Sequence, residues 1–396
     1  MFDKSLIDFI LAHLRDDLLQ LILHQNKYPD VDIKQAVKCI EGRRKLEKKL
    51  PSWATFHDVV IPDPVMVEQA SSYETALYKT RFVPSSDSIV VDLSGGLGVD
   101  SSLFARATKN KVHYLEKAPE RVALASHNFS AMRLHNIIPH QGTAEIEGIE
   151  LIKTLSPDLI FIDPDRRAHN QKRSYFIEDS TPNIVELLPQ IQSVSPKSEI
   201  LIKLSPMIDL THLRQVLESP CDIHVLSLNR ECKELLVHIT SHQGKERIEA
   251  IELFKDSSLI LQGEASRSTP PLCSPIISSY LYDLHPSVAK IGIEHFPTLS
   301  VKVHQPHRHT HLYFSEELLE DFPGRKFKVL HSFRWQKSLL KELKGRQFNV
   351  IVKNLPMTPE ALTKELKIKD GGDLYLICFS CGDKSQRQVI VAERVG

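Results

Sequence analysis

Cysteine is scarce in this chain: six residues in 396, scattered at Cys39, Cys221, Cys232, Cys273, Cys378 and Cys381. That excludes a disulfide framework and points to reduced thiols in a cytoplasmic protein. Long apolar runs are missing too. The first 25 residues are apolar but broken by Asp3, Lys4, Asp8, Arg15, Asp16 and Asp17, which excludes a signal-peptide core. Nowhere do about 18 uncharged apolar residues follow one another, so no membrane span is expected. Net charge is absent, with 50 Lys+Arg against 50 Asp+Glu. Composition alone therefore gives no argument for nucleic acid, although a neutral sum can hide a local surplus. There is no Walker loop, nucleophile elbow, internal repeat or low-complexity tail. His304, His307, His309 and His311 cluster, but no cysteine or acid pattern completes a metal site, and no metal is expected. Cys378-Phe-Ser-Cys381 is a single C-x-x-C without a second pair.

A chain of this length holds more than one domain, and 41% hydrophobic residues suffice for ordinary cores. Leu6, Ile7, Ile10, Leu11, Leu14, Leu18, Leu19 and Ile22 recur at helical spacing, and further helices are expected over about 31–49 and 67–80. Pro51 stops the second of these. From 88 to 240 short apolar runs alternate with helical stretches. The runs lie at 88–93, 112–116, 137–141, 158–163, 199–204, 223–227 and 234–240. Strands alternating with helices predict an α/β, doubly wound, largely parallel sheet. Beyond 241 the rhythm changes. Strands are expected at 248–262 and 299–303, with a Pro- and Ser-rich linker from Ser266 to Ser279 between them. A small α+β module follows: strand Phe327–Phe333, helix Gln336–Leu343, strand Phe348–Val352, a helix near Pro359–Leu366, then strands Leu374–Phe379 and Gln388–Glu393.

The most informative stretch is Ile89-Val-Val-Asp92-Leu-Ser94-Gly95-Gly96-Leu-Gly98-Val-Asp100. An apolar run ends in an acid, glycines turn the backbone, and a helix follows. Such strand–loop–helix units hold nucleotide-like cofactors in open α/β sheets. A dinucleotide fingerprint wants a third glycine or alanine, where this chain has Ser101. Asp92 and Asp100 flank the loop and would repel a pyrophosphate, so they favour a ligand that is cationic there. S-adenosylmethionine carries a sulfonium and an ammonium and no phosphate. Glu116 closes the next apolar run, with Lys117 beside it, where a carboxylate accepts ribose hydroxyls. After the third run, Thr143 and Ala144 stand where many methyltransferases place an aspartate for the adenine amino group. Glu145 or a backbone group can substitute.

The fourth run closes with Asp163-Pro164-Asp165-Arg166-Arg167. Strand ends line the ligand crevice, so Asp163 is expected opposite the glycine loop. The stretch resembles the Asp-Pro-Pro-aromatic motif of amino-group methyltransferases, in which a carboxylate or carbonyl accepts from the target NH2. Here arginines replace the aromatic residue. Paired guanidinium groups grip phosphate or carboxylate, and Lys172 and Arg173 follow. Lys203, at the fifth strand end, either completes the pocket or pairs with a neighbouring acid.

These residues carry a resemblance. Region 88–240 is similar to class I S-adenosylmethionine-dependent methyltransferases. Nearly the whole chain resembles the bacterial methyltransferases with a C-terminal THUMP-like domain, through Glu68-Gln-Ala-Ser-Ser-Tyr-Glu-Thr-Ala-Leu-Tyr-Lys79, Leu201-Ile-Lys-Leu-Ser-Pro206, Glu231-Cys-Lys-Glu-Leu-Leu236, Asp321-Phe-Pro-Gly324 and Lys369-Asp-Gly-Gly-Asp373. The resemblance implies a helical N-terminal region (1–80), a Rossmann-like methyltransferase domain (81–240), a ferredoxin-like connecting domain (241–326) and a THUMP-like domain (327–396). It also implies that the segment with Ser71, Ser72, Thr75 and Lys79 folds over the cofactor, and that structured RNA, transfer or ribosomal, is the partner. Between Phe322 and Lys369 there are 12 Lys/Arg against 3 acids, the local surplus a phosphate backbone rewards. Phe333, Trp335 and Phe348 are interleaved, with Trp335 and Phe348 expected in the core of the module. The expected activity is methyl transfer to RNA at a base nitrogen. The alternatives are a non-catalytic RNA-binding protein that keeps the fold, or a methyltransferase for a small anionic metabolite.

Overall fold

The computed structural model describes residues 4–165, 176–217, 219–240, 246–255, 257–264, 266–336, 342–382 and 386–396. Contacts divide the chain into two units. The first holds residues 1–224, 233–246 and 253–257; the second holds 225–232, 247–252 and 258–396.

The first unit is built on the alternation seen in the sequence. Its strands are β1 (Val90–Asp92), β2 (Val112–Glu116), β3 (Ile137–Gln141), β4 (Leu159–Ile162), β5 (Glu199–Leu204), the first residues of β6 (Asp222–Leu228) and most of β7 (Glu231–Ile239). They lie in the order β3-β2-β1-β4-β5-β7-β6. β1 pairs in parallel with β2 and β4, β2 with β3, and β4 with β5, while β7 runs antiparallel to β5. β2 and β4 are buried along their whole length. Both faces of the sheet are covered, so these strands read as apolar runs without alternation. Strand order reverses between β1 and β4, the switch point where open α/β sheets bind ligands. Asp92 sits opposite Tyr114 on one side and Phe161 on the other, which brings the ends of β1, β2 and β4 to one edge.

The N-terminal helices Lys4–Ala12, Leu18–Leu23 and Ile33–Lys49 share an apolar cluster with Leu124 of helix Pro119–Ala131. Asp32 caps the longest of them by accepting from the Gln35 N–H at 3.1 Å. From 55 to 63 the chain has no regular structure, and side chains satisfy part of its backbone. Buried Arg43 donates to the carbonyls of Ala54, Phe56 and Val59. Asn128 acts like a second peptide group, accepting from the Val60 N–H at 2.9 Å and donating to its carbonyl at 3.0 Å. The single helix expected over 67–80 is two, Pro64–Gln69 and Tyr73–Lys79. Ser72 divides them, because its hydroxyl caps the second by accepting from the Thr75 N–H.

In the second unit β8 (Ile248–Leu253) pairs with β9 (Ser258–Gly263). The remaining strands are β10 (Leu272–Cys273), β11 (Tyr280–Leu284), β12 (His304–Gln305), β13 (Tyr313–Ser315), β14 (Gly324–Arg334), β15 (Gln347–Lys353), β16 (Lys369–Cys381) and β17 (Gln386–Val395). They form a sheet in the order β10-β12-β13-β11-β14-β17-β16-β15. Neighbouring residues of a strand face opposite ways. Ile377 and Ile390 thus join Phe314 and Phe327 in one core, while Leu376 and Val389 join Phe348, Leu362 and Leu366 in the other. Helix Pro359–Leu366 covers that second face. Trp335 is half-buried and Phe348 fully buried in the same core, as expected.

Two expectations differ. Residues 299–303 are not a strand. A short helix, Pro297–Ser300, begins there with proline at its first position, where the missing N–H costs nothing. The helix expected at Gln336–Leu343 falls mostly on residues outside the described ones.

Candidate active site

The glycine loop leaves β1 at Asp92, which is 2% exposed. One carboxylate oxygen accepts from the Ser94 N–H at 3.0 Å and from the Ser94 hydroxyl at 3.1 Å, and the other accepts from the Ser101 hydroxyl. Burial pushes the Asp92 carboxyl up to about 7 against the pull of those hydrogen bonds. Ser94 also accepts from the Asp163 N–H at 2.7 Å, so one hydroxyl links the ends of β1 and β4.

The three glycines are there for different reasons. A Cβ on Gly95 would lie 2.4 Å from the Tyr114 ring, and one on Gly98 would lie 2.5 Å from Phe129. Gly98 also has φ +84° at the start of helix Val99–Ala107. Gly96, with φ +57°, meets nothing closer than the Ser94 carbonyl, so its open side admits a ligand. Its N–H donates to Glu116 at 3.1 Å, and its carbonyl accepts from the Tyr114 hydroxyl at 2.6 Å. The second Glu116 oxygen accepts from the Ala118 N–H at 3.0 Å. Glu116 is buried and reaches over the loop from the end of β2, while Lys117 beside it is exposed.

Behind the loop lies an ion cluster. Lys79 is fully buried, and its ammonium contacts Asp100 at 3.0 Å, Glu234 at 2.7 Å and the Ser71 hydroxyl at 3.1 Å. Ser71 donates to the other Asp100 oxygen at 2.8 Å. Burial raises the Asp100 carboxyl, but Lys79 and Lys203 outweigh it and hold the group below its ordinary range. The two acids that flank the loop are thus both partnered inside the protein. Lys79 and Thr75, expected over the cofactor, are buried and held by neighbours; the Thr75 N–H donates to the capping hydroxyl of Ser72.

Asp163 follows β4 with its side chain 36% exposed, and one oxygen is paired with Lys203. Burial lowers the Lys203 ammonium, but Asp163, Asp100 and Glu234 more than reverse this and raise it. Lys203 therefore stays charged and fixes the carboxylate. Pro164 is buried, and Asp165 forms an antiparallel bridge with Thr181. Arg166 and Arg167, with Lys172 and Arg173, lie outside the described residues. Lys49 enters the neighbourhood unforeseen. Burial, with Lys203 and Lys233 near it, brings its ammonium down to about 8.

After β3 the chain makes a π-helical turn, Ala144–Gly148. Thr143 is exposed and Ala144 buried. The Thr143 N–H and hydroxyl both donate to Glu147, at 2.8 and 3.4 Å. Glu147 escaped the sequence reading because helical spacing cannot place a residue in a π turn. Glu145, considered as a substitute, is exposed. Tyr114 escaped too, hidden in an apolar run. Among the described residues one group, Asp222, His224 and His238, brings possible metal-ligating atoms within 4.8 Å of one another. The Tyr78 hydroxyl lies 3.3 Å from one ring, and Glu199 bonds the other at 2.8 Å.

Residues 324–394 match a family described as THUMP domain-like, and residues 280–323 match a ferredoxin-like domain. A crystal structure of an inferred methyltransferase from Porphyromonas gingivalis W83 is 28% identical, covers 100% of both chains and superposes with a TM-score of 0.82. Two others overlap only in part. An rRNA methylase from Streptococcus thermophilus covers 42% of this chain and 95% of its own, at 17% identity and TM-score 0.30. An O-methyltransferase from Bacillus cereus in complex with SAH covers 50% and 90%, at 14% identity and TM-score 0.36. No curated protein matches the sequence. The full-length likeness and the two domain matches make this chain a class I methyltransferase-fold protein with a ferredoxin-like segment and a C-terminal THUMP-like domain.

Proposed function

We propose that the protein is an S-adenosylmethionine-dependent methyltransferase that acts on RNA, at a base nitrogen of a structured RNA such as tRNA or rRNA. The observation that carries the reading is the placement of Glu116 over Gly96 at the same sheet edge as the Asp163–Lys203 pair. The donor set suits this cofactor. Each Glu116 oxygen holds one backbone N–H, which fixes the carboxylate and leaves lone pairs for two ribose hydroxyls. The open side of Gly96 admits the ligand edge. Ser94, Gly95 and Gly98 shape the loop, and Thr143 and Ala144 border the adenine end. When bound, the cofactor supplies an electrophilic methyl group on a sulfonium, with a neutral thioether as leaving group. Asp92, Asp100, Thr75 and Lys79 act from behind, as the groups that position the loop.

Asp163 faces the acceptor. Lys203 anchors one oxygen, and the other is aimed to accept from an amino N–H. Proximity and orientation do most of the work in such a displacement. Arg166 and Arg167 grip a phosphate of the substrate, and Lys49, Lys203 and Lys233 add positive field nearby. The THUMP-like match and the basic surplus between Phe322 and Lys369 support RNA as the substrate.

Calorimetry with S-adenosylmethionine tests the cofactor half. Binding should weaken at least tenfold in Glu116→Ala and partly recover in Glu116→Gln. Absence of binding to the wild type overturns the enzyme reading in favour of a non-catalytic protein. Mass spectrometry of nucleosides from a deletion strain tests the substrate half. One missing methylated nucleoside is expected, and an unchanged profile rejects RNA.

A further inference from the structure

Asp222 and His224 stand two apart on β6 and so share a face, and His238 of β7 brings its ring to them. One ligating atom from each of the three lies within 4.8 Å of the other two. Both histidines are more than nine-tenths buried, at 5% and 8% exposed, and Asp222 is half-buried. All three belong to the first unit. Two imidazoles beside a carboxylate are a donor set that zinc takes.

The surroundings orient these donors. The His238 Nε2 lies 2.8 Å from a Glu199 carboxylate oxygen. A carboxylate there holds the proton on Nε2 and makes Nδ1 the ligating nitrogen, as in carboxylate–histidine–zinc triads. The His224 Nδ1 lies 3.3 Å from the Tyr78 hydroxyl, which makes Nε2 the ligating nitrogen of that ring. Phe82 packs against both imidazoles, with ring centroids 5.0 and 4.7 Å away, and walls the group with hydrocarbon. Charge on this side is mixed. Arg81 donates to the Tyr78 hydroxyl at 2.8 Å, and Cys221, next to Asp222 in the chain, feels Arg214 against Glu246 and Asp222. Asp222, His224 and Tyr78 also make further contacts inside the protein. A cation is therefore selected here by donor geometry and not by net charge, and it competes with partners already in place.

We propose that Asp222, His224 and His238 form a site for a divalent cation of the zinc type, with water as the fourth ligand. Bonds of about 2.0–2.2 Å at tetrahedral angles set ligand atoms about 3.3–3.6 Å apart, so the group closes by at most about 1.5 Å to hold the ion. Glu199 is a positioning residue that acts through His238. The ion braces β6 against β7, and through Tyr78 it reaches the helix that ends in Lys79, behind the glycine loop. Metal binding here needs no methyl transfer and stands apart from that reading. His307 and His309, with rings 5.5 Å apart in the second unit, are the rival locus for a cation.

Cobalt(II) titrated into the full chain after chelator treatment tests it, because four-coordinate cobalt absorbs in the visible. A saturable band is expected, erased by zinc, and zinc should raise the melting temperature. Asp222→Asn should lose the band while its metal-free form still melts cooperatively. Glu199→Ala should weaken cobalt binding about 10–100-fold. His307→Ala/His309→Ala should keep both band and affinity. No band in the wild type, unchanged cobalt affinity in Asp222→Asn or in Glu199→Ala, or loss of the band in the His307/His309 double variant overturns the proposal.

Discussion

Asp92 shows how one residue can be read correctly in place and differently in role. Its carboxyl is buried, and that burial raises it to about 7 from the ordinary 3.8. Between those values the folded protein holds a proton that the unfolded chain releases, so this group's contribution to stability falls as pH rises through the window. Asp92→Asn removes the titration and keeps the hydrogen bonds, because the Ser101 hydroxyl can accept from the new amide. The stability of the variant relative to wild type should therefore climb from about pH 4 to 7 and level off above, by an amount on the order of a few kcal/mol. Urea unfolding across that range measures it, and a flat or falling difference contradicts the assignment. Asp92 and Glu116 were legible because each acid ends an apolar run, and parallel pairing carries such ends to one edge. The charge state of Asp92 was not. Nor were the partners of the buried Lys79, which pairs with Asp100 and with Glu234, the latter 155 residues away in the chain, where no spacing rule joins them.

At the scale of elements, that cluster is what ties helix Tyr73–Lys79 to helix Val99–Ala107 and to β7. Lys79→Met should cost about 3–5 kcal/mol, because it leaves two buried carboxylates without their cation. Adding Asp100→Asn and Glu234→Gln should recover much of the loss in denaturant unfolding. If the triple variant is no better than the single one, packing and not charge is what Lys79 supplies. The glycines divide in the same way. Gly95→Ala drives a methyl group into the Tyr114 ring and should destabilise by about 1–3 kcal/mol. Gly96→Ala meets open space and should lose only the penalty of a positive φ, about 1–2 kcal/mol, while weakening cofactor binding. Elements were easiest to read where both faces of the sheet are covered, as in β2 and β4. They were misread where a local start signal outweighs the apolar pattern: Ser72 splits the helix expected at 67–80, and Pro297 opens a helix that runs into the strand expected at 299–303.

Over the whole molecule, charge balance conceals a strongly uneven distribution, and the structure gathers part of it. Gly345 N–H donates to the Lys367 carbonyl, and Lys369 N–H donates to that of Arg346. Exposed Lys344, Arg346, Lys367 and Lys369 are thereby brought together on one edge of the THUMP-like region. Arg346 lies 5.2 Å from the centroid of the buried Phe348 ring. The sequence showed the surplus but not its concentration, because the two segments meet only through the hydrogen bonds that join them. If this patch follows an RNA backbone, each cation it offers releases about 0.7–0.9 counterion per phosphate contact. Lys344→Gln/Lys367→Gln should then weaken tRNA binding and lower the slope of log affinity against log salt by about 1.5. S-adenosylmethionine binding should not change, since these side chains lie in the second unit and the glycine loop in the first. Fluorescence anisotropy from 50 to 200 mM salt reads both quantities, and an unchanged slope removes this patch from the RNA path.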